Sequence, residues 1–79
     1  MSDTVFSEEG DYFTFSRVFE KEPGLFEVSI LFERKSDHVH VRVPAMRHKL
    51  TTIFSDRNEA MQAALSYARE HAASKDVGL

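Results

Sequence analysis

The stretch Leu25-Phe26-Glu27-Val28-Ser29-Ile30-Leu31-Phe32-Glu33-Arg34 decides the fold. Side chains of an extended chain alternate between two faces, so Phe26, Val28, Ile30 and Phe32 share one side while Glu27, Ser29 and Glu33 share the other. β-Branched and aromatic residues suit a pleated surface that is buried on one side. Leu25 and Leu31 make the second side partly apolar. The segment is therefore a strand with one core face, and its neighbours in the chain must supply both the rest of the sheet and its cover.

Upstream, Glu22-Pro23-Gly24 carries turn chemistry, since Pro presets φ for the first corner and Gly tolerates positive φ at the second. Before it, Tyr12–Glu20 alternates, with Phe13, Phe15 and Phe19 on one side and Tyr12, Thr14, Ser16 and Val18 on the other. The two strands make a β-hairpin. The phenylalanine side, interrupted only by Arg17, is expected to join Phe26–Phe32 in the core. Gly10-Asp11 reads as a turn, and residues 1–10, acidic with only Val5 and Phe6 as apolar anchors, read as a flexible arm.

Downstream, Lys35-Ser36-Asp37 is expected to turn the chain into a third strand, in which Val39, Val41 and Val43 alternate with His38, His40 and Arg42 until Pro44 ends it. Ala45–His48 reads as irregular and Lys49–Phe54 as a short fourth strand. Asp56, with Glu59 three residues on, is a helix start, and a helix is expected from about Arg57 to Ala73. Its buried stripe is Ala60, Met61, Ala64, Leu65, Ala68 and Ala72. Residues 74–79 read as a frayed tail. The fold class is α+β: an antiparallel sheet of three to four strands followed by one C-terminal helix packed on one face, as a single domain over residues 11–73.

Composition agrees with one small folded unit. The chain has 79 residues, 42% of them apolar and 29% charged, so it lies away from the charge-rich, apolar-poor corner where chains stay disordered. It has no cysteine, which excludes disulfides, thiolate nucleophiles and cysteine-ligated metals and suits a reducing compartment. The first residues form no secretory leader, and no apolar run reaches membrane-spanning length. A cytoplasmic location without membrane partners is expected.

Charge is unevenly placed. From Arg34 to Lys49 the chain carries Arg34, Lys35, Arg42, Arg47 and Lys49 against Asp37 alone, with His38, His40 and His48 among them; the other residues carry five cations against twelve acids. Together with the apolar Met46 in the loop after Pro44, these are the candidate binding residues. His38 and His40, two apart on an expected strand, have the spacing of a metal pair, but no third or fourth ligand stands at a recognised spacing and solvent-facing histidines are the plainer reading. Tyr67 and His71 stand one helical turn apart, at the edge of the buried stripe. No pattern places a nucleophile beside its base, so neither an enzyme nor a cofactor is expected.

In the second half, Val41-x-Val43-Pro44, a short strand and then Glu59-Ala60-Met61-x-Ala63-Ala64-Leu65 resemble the small antitoxin domains of the HicB type, which pair sheet strands with a helix opening on a Glu-Ala pair. The Gly-Cys that often follows the Pro in that family is absent. The resemblance spans residues 41–65, implies a fold-level analogy and carries over no functional residue. The function expected from the sequence is a small non-catalytic protein-interaction or regulatory module, whose partner is another protein or a second copy docked on the open sheet face or an edge strand; Leu25, Leu31, Val18 and Ile53 motivate it. The alternative is nucleic-acid binding through the basic segment 34–49.

Overall fold

In the computed structural model, which describes residues 2–79, the deciding stretch is the strand β3 (Leu25–Arg34), reached through β1 (Ser2–Glu9) and β2 (Tyr12–Glu22). A 3-10 turn (Lys35–Val39) leads on to β4 (Ala45–Lys49), and α1 (Arg57–Ser74) closes the chain. The strands form one antiparallel sheet in the order β1-β2-β3-β4, and α1 lies across one face. The α+β class expected from the sequence is the class observed.

Pro23 and Gly24 make the β2–β3 turn, with Gly24 at φ +79° and its N–H donated to the Glu20 carboxylate at 2.8 Å. The turn sets Glu22 opposite Leu25. In an unbroken ladder Phe19 would then face Val28, Arg17 would face Ile30 and Phe15 would face Phe32. Instead the ladder has a bulge between Glu20 and Glu22, after which Val18 faces Val28, Ser16 faces Ile30 and Thr14 faces Phe32. One extra residue in a strand moves every side chain beyond it to the other face. The expectation that Phe13, Phe15 and Phe19 join the core is overturned for this reason: Tyr12, Thr14, Ser16 and Val18 are the buried set. The bulged register also keeps the Arg17 guanidinium from lying beneath the helix, where an unpaired charge costs several kcal/mol or more.

The core consists of those four residues with Phe26, Val28, Ile30 and Phe32 from β3, and Ala60, Ala64, Ala68 and Ala72 from α1. An alanine every fourth residue gives α1 a narrow, flat underside that lies close on the small Thr14 and Ser16. Met61 is half-buried against this core, whereas Leu65, expected in the stripe, is half-exposed at its flank. Asp56 caps the helix by accepting the N–H of Asn58 at 3.1 Å. The helix ends on Lys75 in the left-handed region (φ 58°), with Lys75 N–H bound to the Ala72 carbonyl and Asp76 N–H to that of His71, the paired bonds of a Schellman stop.

Three further expectations are corrected. The arm over 1–10 is the edge strand β1, which pairs residue by residue with β2 from Ser2↔Phe19 to Glu9↔Tyr12; Met1 lies outside the described residues. The valine stretch is not a strand: Val39 and Val41 are 85% and 105% exposed in the connection before β4. Its place beside β3 goes to Ala45–Lys49, which had read as irregular, and of the expected strand over 49–54 only Phe54 bridges to Phe26. Register explains the exchange. With Lys49 opposite Ser29 and Ala45 opposite Glu33, Val43 and the residues before it would run past the end of β3 at Arg34. The strand half of the resemblance noted above disappears with it. Finally, the tail is docked, because Val77 is fully buried and Gly78 lies against the Met46 side chain.

Candidate binding face

The bulge leaves the phenylalanines on the sheet face that α1 does not cover. Cross-strand partners share a face, so the ladder arranges this surface in rows. Phe6, Phe15, Leu31 and Arg47 lie side by side across all four strands; Glu8, Phe13, Glu33 and Ala45 form the row on one side, and Thr4, Arg17, Ser29 and Lys49 the row on the other. Phe19 extends the face beyond Arg17. The Phe6 ring packs at 5.6 Å from Phe13 and 5.2 Å from Phe15, both tilted, and Phe6 remains 54% exposed. Phe6, Phe13, Phe15 and Leu31 thus form a contiguous apolar patch, with Phe19 on the far side of Arg17.

Cations frame the patch. Arg17 lies over the Phe19 ring at 5.1 Å and Lys35 over Phe13 at 5.6 Å, and the His38 ring stands edge-on to Phe13 at 4.7 Å. His38 Nε2 donates to Glu33 at 2.9 Å, and Arg47 donates to the Ser29 hydroxyl at 3.1 Å. Glu27, almost fully covered, is held between Lys21 and Lys49, each at 3.3 Å. Burial pushes its carboxyl up, but the hydrogen bonds and charges of Lys49 and Lys21 outweigh that and leave it below the usual carboxylate range.

The residues that the sequence grouped as one basic segment are therefore divided. Lys35, His38, Arg47 and Lys49 reach the open face. Arg34 is taken by Asp37 at 2.8 Å, and His40 and Arg42 are exposed in the connection to β4. Met46 and His48 point to the opposite side, beneath the helix end. There His48 Nε2 donates to the Val77 carbonyl at 2.8 Å, so its Nδ1 accepts from the Tyr67 hydroxyl at 2.6 Å. Tyr67 stacks on His71 at 3.9 Å, and His71 donates to the Asp76 carbonyl at 2.9 Å. Burial and the nearby Asp76 charge raise the Tyr67 hydroxyl above its ordinary range. This cluster pins the tail to β4. The Tyr67–His71 spacing marked it in the sequence; its third member, His48, had no local signal.

Among the described residues, no group of three or more His, Asp or Glu side chains is placed to hold a metal ion, and no helix is long and apolar enough to cross a membrane. His38 and His40, the possible metal pair, are separated in role: one binds Glu33, and the other gives its backbone N–H to the Asp37 carbonyl. A depression of about 470 Å³ between Asp11, Tyr12, Arg34, Lys35, Ser36 and Lys75 is basic in outline, yet Lys75 is paired with Asp11 at 3.5 Å and Arg34 with Asp37. In comparison with known proteins, no family model, curated protein or solved structure matches the chain.

Proposed function

We propose that the chain is a non-catalytic interaction module that binds through the uncovered face of its sheet. The observation that carries this reading is the contiguous patch of Phe6, Phe13, Phe15 and Leu31 on that face, with Phe19 beyond Arg17. A bare antiparallel sheet surface is ordinarily polar, and an apolar patch rimmed by charge marks a contact surface. Aromatic residues with arginine at their margin are also the composition of well-packed interface centres. The polar side chains that chemistry would require are instead occupied in holding the fold, His48, Tyr67 and His71 at the tail and Asp37 at the 3-10 turn. The cysteine-free composition suits a cytoplasmic setting. Nucleic-acid binding through 34–49 has less support, because that segment's cations are split between two faces and a loop.

A photo-reactive phenylalanine analogue at position 6, with the same analogue at the exposed helix position Gln62 as control, tests the reading in cells. Cross-linked adducts at position 6 that are absent at Gln62 are expected. Equal or absent labelling at the two positions would refute it.

A further inference from the structure

Resting on the reading of this face as a binding surface, we propose that its occupant is a second copy of the chain, stacked face to face about a two-fold axis parallel to the strands. Such an axis lays β1 over the partner's β4 and β2 over the partner's β3, so each row of the face meets its own reverse. For the central row this places Phe15 on the partner's Leu31 and Phe6 beneath the partner's Arg47. An apolar pair sits at the centre and a guanidinium–ring contact at each end, from the one four-strand row that is apolar on three of its strands. Stacked sheets cross at roughly 30°, which preserves the Phe15–Leu31 match beside the axis and offsets the outer strands by about 4 Å, a distance the long Arg47 side chain spans.

The charge distribution permits the same occupant. Under this axis Glu8 falls over the partner's Ala45 and Glu33 over its Phe13, Arg17 over its Ser29 and Lys49 over its Thr4, so no charge stands directly opposite one of its own sign. A polyanion would meet Glu8, Glu27 and Glu33 on a chain of net charge −3. Stacked bases need open ring faces, but Lys35 lies over Phe13, Arg17 over Phe19, and Phe6 leans on both Phe13 and Phe15. Area is sufficient as well. Four strands about 4.8 Å apart and four rungs about 6.8 Å apart give on the order of 500 Å² of projected face per chain, or about 1,000 Å² for the pair before the relief of the side chains is counted. That reaches the lower bound of specific interfaces. A second sheet also supplies what the alanine-lined helix does not, a layer of large side chains opposite the phenylalanines.

The mass in solution decides the matter. Sedimentation or light scattering at about 100 μM is expected to give twice the 9.1 kDa of one chain. Phe6→Glu is expected to weaken the dimer at least 100-fold with its circular dichroism unchanged, whereas Gln62→Glu leaves the mass as it was. The cysteine-free chain permits a second measurement. Within one chain positions 6 and 47 are about 14 Å apart, whereas across stacked sheets they are about 10 Å apart with their side chains pointing at each other. Phe6→Cys/Arg47→Cys is therefore expected to give covalent dimers with a short bifunctional thiol reagent that neither single variant gives as efficiently. A monomeric wild type, a dimer untouched by Phe6→Glu, or dimers linked only through position 6 to position 6 would overturn the proposal. So would a monomer that binds a labelled oligothymidine at low salt. If the purified chain is monomeric while position 6 still cross-links another protein in cells, self-association fails and the binding face stands; if neither occurs, both fall.

Discussion

Ile30 is the centre of the fold, and its truncation to alanine tests the arrangement of the core most directly. It is fully buried, lies opposite Ser16 on one side and His48 on the other, and faces the alanine stripe of α1. Ile30→Ala removes three carbons, about 2.4 kcal/mol at roughly 0.8 kcal/mol each. Because the sheet cannot close the gap fully, an unfilled volume of about 40 Å³ adds about 1 kcal/mol, for a total near 3.4 kcal/mol. A 79-residue domain has about 4 to 12 kcal/mol of stability in all. The midpoint of a thermal melt followed by circular dichroism should fall by about 14 to 27 °C, given roughly 4 to 8 °C per kcal/mol at this size. His40→Ala, in the exposed connection to β4, should change stability by less than about 0.5 kcal/mol. Both melts belong at one protein concentration, since dimerisation would make the midpoint depend on it. A loss below about 1 kcal/mol for Ile30→Ala, or a loss of equal size for His40→Ala, would refute the assignment of faces.

Two further outcomes are expected. Glu27 has its carboxyl held low in the folded chain by Lys49 and Lys21, so its stabilising contribution is full above the ordinary carboxylate range and fades as pH falls through the folded value. The acid limb of a pH–stability curve should therefore be shallower for Glu27→Gln than for the wild type, and superimposable limbs would show that the pair of lysines does not stabilise the charge. Ser16 places a buried hydroxyl without a hydrogen-bond partner opposite Ile30. Ser16→Ala should be neutral or stabilising by up to about 1 kcal/mol in urea unfolding, and a loss above about 1 kcal/mol would show that the hydroxyl is satisfied.

The parts of the fold legible in the sequence are those fixed by local pattern. The core face of β3 recurs at every second residue from Phe26 to Phe32, Pro23-Gly24 specifies its turn, and Asp56 with the alanines at 60, 64, 68 and 72 specifies α1. What misled was pattern without a partner. Val39, Val41 and Val43 have strand composition, but β3 ends before it can reach them, and a strand needs a neighbour as well as a propensity. Residues 2–9 have little apolar character and still form a strand, because β2 offers them a free edge. Val77 is buried by a hydrogen bond from His48, twenty-nine positions away, a contact with no local trace in either segment. Of the candidate residues, Lys35, His38, Arg47 and Lys49 came together on one face; the phenylalanines that give that face its character had been placed in the core.

That misplacement turns on a single residue. With the turn fixed at Pro23-Gly24, the unbroken register would have matched Phe15 to Phe32 and Phe19 to Val28, a richer apolar core than Thr14 and Ser16 provide. It would also have set Arg17 against Ile30 under the helix, and crowded two layers of aromatic rings beneath an underside shaped for alanine contact. A charge buried without a partner costs more than one or two rings gain, and overpacking adds to the deficit. The bulge at Lys21 resolves both conflicts by sending the small and β-branched residues of β2 inward and the phenylalanines outward. A monomer built for its own stability gains little from four rings on its bare face. The alternation of β2 is regular from Tyr12 to Phe19 except at Arg17, so the aromatic identity of the outward face follows from the side of the strand the bulge selects.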